Sequence, residues 1–277
     1  MSEPSDPSVA GDGADDRSAT GSESGPATGD GDESSPGAAA RERVTSKIAE
    51  SASGNAIPPG PIARVPRSKM AAREWYNSLS RWYDVIADPF EAPAREAGLK
   101  LLDAAPGERV HDIGCGTGTA LVELNCAVGS DGVAVGIDLS RGMCRRTSRT
   151  LAAADLDPGV VVEGDASTAP FSDGTFDACF ASFVLDLFDT PEIPAVLDEW
   201  RRVLAPDGRL CVVSLSRREA GLITRLYESI HELYPTYVDC RPLYLRDTLL
   251  DVGFEIDAEQ VASAWGLPVE VVLARNG

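Results

Sequence analysis

Apolar residues recur along this chain with two alternating periods. Met70, Trp75, Leu79, Trp82, Tyr83 and Ile86 fall at helical spacing, which predicts a helix over about 70–86. A second helix follows Pro89, from about Phe90 to Ala104. Short Val- and Ile-rich runs then take turns with helical ones. The strands are "RVHDI" (109–113), "GVAVGID" (132–138), "VVVEGD" (160–165), "FDACFASF" (176–183) and "GRLCVVSL" (208–215), and helices are expected at 117–128, 140–154 and 192–204. Helices near 219–233 and 242–252 follow, with short strands near 254–258 and 269–274. Alternating strand and helix predicts a doubly wound, Rossmann-like α/β domain, with a mainly parallel seven-stranded sheet covered on both faces. The nearly unbroken apolar strands agree, because strands buried on both faces do not alternate.

The first 68 residues have no such pattern. Residues 1–40 are mostly Gly, Ser, Asp, Glu, Pro and Ala, with one Val and no aromatic residue. Such a segment cannot bury enough apolar surface to offset its ordering entropy. Residues 1–68 are therefore expected to be a disordered acidic tail and linker, and 69–277 the folded domain, opening with lid helices over about 69–104.

Charge changes the picture further. The formal net charge is -19, and of the 25 basic residues only Lys47, Lys69 and Lys100 are lysines. An acidic, Lys-poor surface suits a halophilic protein, which must stay hydrated in molar salt. It argues against nucleic acid, whose phosphates call for clustered cations. Cys115, Cys126, Cys144, Cys179, Cys211 and Cys240 form no CxxC pair, so no metal site is expected and the thiols read as small apolar residues of a reducing compartment. With no apolar run near the roughly 20 residues that cross a bilayer and no leader pattern, the expectation is a cytoplasmic protein.

The chemistry concentrates at strand exits. "VHDIGCGTGTAL" (110–121) places Gly114, Cys115 and Gly116 after the first strand, where glycines let a ligand approach the backbone. In doubly wound sheets ligands sit beyond the carboxyl ends of the strands. The spacing GxGxG departs from the dinucleotide fingerprint GxGxxG/A, leaving NAD and S-adenosylmethionine as competing ligands. Asp138 ends the second strand, where a carboxylate accepts ribose hydroxyls or caps the helix starting near Ser140. After the third strand, Asp165 and the Ala166 amide are placed to read an adenine edge.

Four motifs in order, "VHDIGCGTG", "GIDLS", "EGDA" with "PFSDGTFD", and "RRVLAPDGRL", cover about 109–215. Together they resemble the class I S-adenosylmethionine-dependent methyltransferases. "YNSLSRWYDVIADPF" and "LYESIHELYP…LYLRDTLLDVGFE" are similar to the lid and C-terminal region of the ubiquinone/menaquinone C-methyltransferase group. "FVLDLFDTPEIP" departs from that group's Arg-Asn-containing run. Phospholipid N-methyltransferases share the lid and are the rival group.

The resemblance implies S-adenosylmethionine as cofactor, with Asp112 orienting its ammonium through water. The backbone of Gly114, Cys115 and Gly116 would pass along the methionine and ribose. Asp138 would hold the ribose, Leu139 or Met143 would pack on adenine, and Asp165 with Ala166 would read the base. Ser182 and Phe183 would line the passage to the transferred methyl.

The acceptor would be a small or lipid-like molecule, and a lid face of Trp75, Trp82 and Tyr83 could rest on a membrane. Three residues are candidates for assisting transfer. Tyr83 either contacts ligand or packs in the core. Asp186 either orients substrate or starts a helix. His231 is a general base near neutrality or a surface residue. His111, inside the first strand, is expected to be structural.

Overall fold

The computed structural model describes residues 68–79, 88–218, 241–264 and 266–276. Helix α1 spans Lys69–Leu79 and α2 spans Asp88–Leu102. Alternating elements follow: β1 (Arg109–Ile113), α3 (Thr119–Val128), β2 (Val133–Asp138), α4 (Arg141–Ala153), β3 (Val161–Glu163), β4 (Phe176–Ser182), α5 (Ile193–Val203) and β5 (Leu204–Leu215). The described chain closes with α6 (Leu245–Asp251), β6 (Glu255–Ala264) and β7 (Leu267–Arg275). The expected tail, the end of the lid with Tyr83, and the helix near 219–233 with His231 lie outside the described residues.

The seven described strands form one sheet in the order β3-β2-β1-β4-β5-β7-β6. Strands β1 to β5 pair in parallel, and β7 runs antiparallel between β5 and β6. Strand order reverses between β1 and β4, so a crevice is expected beyond their carboxyl ends. One apolar layer contains Ile137, Leu197, Trp200, Leu245 and Val272, the other Val110, Leu121, Phe180, Val213 and Val271. Alternate residues of β5 and β7 serve opposite layers, as the strand period requires.

Helix α5 shows how local sequence sets the packing. Ile193, Val196, Leu197, Trp200 and Val203 are buried along one face, at the i, i+3, i+4, i+7 spacing that gathers an apolar stripe. Pro194 stands in its first turn, where a missing N–H costs no helical bond. The opposite end of the sheet is tied by charge. Arg209 in β5 donates to both carboxylate oxygens of Glu108 at 2.7 and 2.8 Å, and to the carbonyls of Leu102 and Asp103.

Two elements differ from the sequence expectation. Strand β5 begins at Leu204, not at Gly208. The register jumps from Phe176↔Leu204 to Ala178↔Arg209, so the polar turn Ala205–Gly208 is absorbed as a bulge within a longer strand. The two C-terminal strands are long, 10 and 9 residues, because each pairs along nearly its whole length with the other. The edge strand β6 exposes Glu255, Asp257 and Glu259, charges that discourage edge-to-edge pairing.

Candidate functional site

The loop after β1 is shaped by two glycines with left-handed backbones. Gly114 has φ +67, and a Cβ there would meet Val184 Cγ2 at 2.4 Å. The bare backbone thus lets the β1 loop close on the residues leaving β4. Gly116 has φ +54, and among the described residues a Cβ there would meet nothing nearer than the Gly114 carbonyl at 3.9 Å. Among those residues, space therefore stays open over Gly116, as a ligand cradle requires. The Cys115 amide is committed, donating to the Ile137 carbonyl at 3.0 Å; its thiol is buried. Thr147 and Thr150 of α4 brace the loop from behind, donating to the carbonyls of Gly116 and Thr117.

Asp138 at the end of β2 is wired into this loop. One oxygen accepts from the Gly116 amide at 3.0 Å and the other from the Ser140 amide at 2.7 Å. Each oxygen keeps a lone pair for a ribose hydroxyl. The helix-start role is present: Asp138 accepts the amide of Ser140, which is itself the N-cap residue of α4. Burial pushes the Asp138 carboxyl up to about 6 despite both amides.

Asp112 is 2 % exposed, and among the described residues its Oδ2 has no hydrogen-bond partner. Burial, helped by the nearby Asp138 charge and opposed by Arg95, lifts its carboxyl to about 7. A buried acceptor without a donor is costly, and a ligand ammonium would remove that cost. The shift has a consequence for stability. The folded carboxyl lies above its ordinary value of 3.8, so the folded state holds a proton that the unfolded state has lost. Its contribution therefore declines as pH rises from about 4 to about 7. Asp112→Asn should flatten part of the fall in melting temperature between about pH 4 and about pH 7, while cofactor affinity drops. A decline identical to wild type, followed by scanning fluorimetry, would contradict this account.

Asp165, after β3, is held by the lid helix. Its Oδ1 accepts from the Ser167 amide and hydroxyl, and its Oδ2 accepts from Lys69 Nζ at 2.7 Å. Burial raises this carboxyl, but Lys69 and Ser167 outweigh it and hold the group below its ordinary range. Lys69, Arg73 and Asn77 stand four residues apart on α1, hence on one face. Arg73 pairs with Glu163 at 3.3 Å, and the Asn77 Oδ1 accepts from the Ser140 hydroxyl and the Gly142 amide. This stripe straps α1 across the exits of β2 and β3. From sequence Arg73 reads as a neighbour of the lid's aromatic face, and Lys69 and Asn77 carry no role; a lysine in a Lys-poor chain was the available signal. Because the Lys69–Asp165 pair is half-exposed, Lys69→Ala should cost well under about 1 kcal/mol at low salt and nothing in molar KCl, measured by urea unfolding.

The remaining candidates fall around the same edge. Leu139 keeps partial exposure, whereas Met143 is 2 % exposed inside α4. The Ala166 carbonyl accepts from Trp200 Nε1 at 3.0 Å, anchoring the loop to α5. Ser182 ends β4, and Phe183 after it has φ +55, uncommon for a bulky residue and typical of strain kept at ligand sites. Asp186 is fully buried, and neither carboxylate oxygen has a hydrogen bond of normal geometry. Burial pushes its carboxyl up to about 7, with Glu91 adding to the rise and Arg241 opposing it. His111 stacks on Phe176 at 4.7 Å and bonds the Val135 carbonyl; burial lowers it to about 4, as fits a neutral structural ring. Among the described residues no group of His, Cys, Asp and Glu could hold a metal ion, and no helix is long and apolar enough to cross a membrane.

Known proteins resemble this chain in sequence and in fold. Residues 110–208 match the family model of a methyltransferase domain. Nocamycin O-methyltransferase of Saccharothrix syringae is 36% identical over 135 residues, 49% of this chain and 48% of that protein. Demethylmenaquinone methyltransferase of Beutenbergia cavernae is 36% identical over 161 residues, 56% of this chain and 62% of that protein. The chain thus spans about half to three-fifths of the length of these relatives. Magnesium protoporphyrin IX methyltransferase of Synechocystis PCC 6803, solved with bound SAM, shares the fold with a TM-score of 0.57 at 19% identity, covering 76% of this chain and 97% of that one. Residues 110–208 carry a methyltransferase domain, and the chain resembles the class I S-adenosylmethionine-dependent methyltransferases. It resembles the menaquinone C-methyltransferase group.

Proposed function

We propose that this protein transfers a methyl group from S-adenosylmethionine to a small or lipid-soluble acceptor, with the ring carbon of a quinol as the favoured acceptor atom. The observation that carries the transfer reading is the row Asp112, Asp138 and Asp165 at the exits of three adjacent strands, beside the open cradle at Gly116. Carboxylates suit an ammonium, a ribose and an exocyclic amine, whereas a pyrophosphate calls for amides and cations. The acceptor rests on a weaker ground, the match to demethylmenaquinone methyltransferases. The match to an O-methyltransferase favours a second reading, transfer to a ring hydroxyl.

When bound, S-adenosylmethionine supplies a methyl group on a sulfonium, open to attack by a nucleophilic carbon or oxygen. In this reading Asp112 holds the ammonium, Asp138 the ribose, and Asp165 with Ala166 the base. Leu139 packs against adenine. Ser182 and Phe183 flank the acceptor, and orientation with exclusion of water accounts for most of the rate. Asp186, buried with its carboxyl pushed up to about 7, would orient the acceptor. Tyr83 stays a candidate for contact with cofactor or acceptor, and His231 a candidate general base. The protein would work in the cytoplasm, reaching a lipid-borne acceptor by peripheral contact through the lid; the acidic chain does not fit nucleic acid.

The test uses radiolabelled-methyl S-adenosylmethionine in molar KCl with a reduced lipid extract from cells lacking the gene. Label in the quinone fraction is expected. Label in phospholipid would transfer the assignment to N-methylation of lipids. Label only in added soluble phenols would support the O-methyl reading, and no transfer to any acceptor would overturn the activity.

A further inference from the structure

We propose that the outer face of α4 is a docking surface for an anionic lipid bilayer, whose headgroup phosphates pair with Arg141, Arg145 and Arg149. The docking rests on the lipid-soluble acceptor of the reading above, and it assigns the face of the protein that meets the bilayer. The helix period sets the row. Met143, Cys144, Thr147 and Leu151 are buried, which leaves Arg141, Arg145 and Arg149 exposed on the other side. They stand four residues apart, so they form one stripe about 12 Å long.

Neither helix stability nor solubility explains this row. Like charges at i, i+4 destabilise a helix, and a cation in the first turn opposes the macrodipole. Arg141 opens the helix, and no acid stands anywhere in its 13 residues. Glu163 answers Arg141 at 3.4 Å, whereas Arg145 and Arg149 have no ion-pair partner among the described residues. A chain of formal net charge -19 is already far from neutral, so added cations lower its charge instead of helping it stay soluble. A row that weakens its own helix and runs against the charge of its chain points to an anionic partner.

Position and chemistry select a bilayer. Helix α4 follows the exit of β2, so the row starts at the rim of the candidate site and runs down its flank. Helix α1 is fastened to the same end of α4 by Asn77. Its Arg73 shares Glu163 with Arg141, and its Met70 is 71% exposed. Cations beside an exposed apolar side chain suit a headgroup layer. A guanidinium takes two phosphate oxygens in a fork, which a lysine cannot do. The acidic remainder of the surface is repelled by the same lipids, so this face alone can approach them, with the rim of the site brought to the bilayer. A nucleic acid offers phosphates too, but it calls for a broader basic surface than one helix stripe.

The test is co-sedimentation of the full chain with phosphatidylglycerol-containing vesicles, with pure phosphatidylcholine vesicles as the neutral control. At low salt, wild type should bind the anionic vesicles at least about tenfold tighter, and the preference should shrink in molar KCl. Arg145→Gln/Arg149→Gln should weaken anionic-vesicle binding by about 20-fold. Arg246→Gln/Arg275→Gln removes the same charge beside β6, at the sheet edge opposite β3, and should stay within about threefold of wild type. The α4 variant should also keep methyl transfer to a water-soluble naphthoquinol while losing transfer to a quinol carried in anionic vesicles. Equal binding of wild type to both vesicle types would overturn the proposal. So would equal losses in the two double variants, which would reduce the effect to bulk charge, or binding of single-stranded RNA in place of vesicles. Transfer to neither quinol would instead overturn the acceptor reading, and vesicle binding would still decide the role of the arginine row.

Discussion

Asp138→Ala is expected to lose S-adenosylmethionine affinity by about 30-fold or more, the scale of removing hydrogen bonds to a charged acceptor. Three effects add in the same direction. The ribose loses its carboxylate. The Gly116 amide loses the acceptor at 3.0 Å that holds the cradle in place, and the Ser140 amide loses the one at 2.7 Å. Stability should move the other way or barely at all. Burial holds this carboxyl up near 6, so ionising it at neutral pH costs the folded state free energy that alanine does not. Calorimetry and scanning fluorimetry on one sample separate the two effects. Asp138→Asn, which keeps one oxygen, should fall between. An alanine variant that binds within threefold of wild type would remove Asp138 from the site.

Gly114→Ala is expected to affect both fold and binding. A left-handed backbone costs an L-residue roughly 1–2 kcal/mol, and overpacking a tight contact roughly 1–3 kcal/mol more. The second cost arises because the new Cβ would lie 2.4 Å from Val184 Cγ2. The double variant Gly114→Ala/Val184→Ala should recover the steric part and leave the backbone part, an interaction that a double-mutant cycle measures. Gly116→Ala provides the contrast. Its Cβ has room, so the fold should survive with only the backbone cost while ligand binding drops, because the methyl group stands where the ligand would approach. If Gly116→Ala bound cofactor normally, the open space above the loop would not be the cradle.

Much of this site was legible in the chain because its members are local. Asp112, Gly114 and Gly116 share one strand-to-helix turn, and Asp138 and Asp165 each end a strand. The strand period and the turn glycines suffice to bring such residues to one edge once the sheet is parallel. The same logic explains His111, whose place inside β1 already marked it as packing.

What the chain did not disclose depends on contacts between distant segments. The i, i+4, i+8 stripe Lys69, Arg73, Asn77 looks like an ordinary polar helix face until α1 lies across the exits of β2 and β3. Arg95 looks like a solvent residue until α2 packs on the sheet and buries it near Asp112. The bulge at Ala205–Gly208 and the long β6–β7 pair follow from register with neighbouring strands, which no local spacing records. The strained Phe183 backbone is imposed where its amide bonds the Val213 carbonyl at 2.8 Å. By itself the sequence determined the fold class and the edge of the sheet on which the candidate acids fall, since periodicity and turn chemistry act over a few residues. The tertiary structure alone decided which cations answer those acids, and how far burial lifts Asp112, Asp138 and Asp186. Both depend on charge and solvent exclusion summed over segments far apart in the chain.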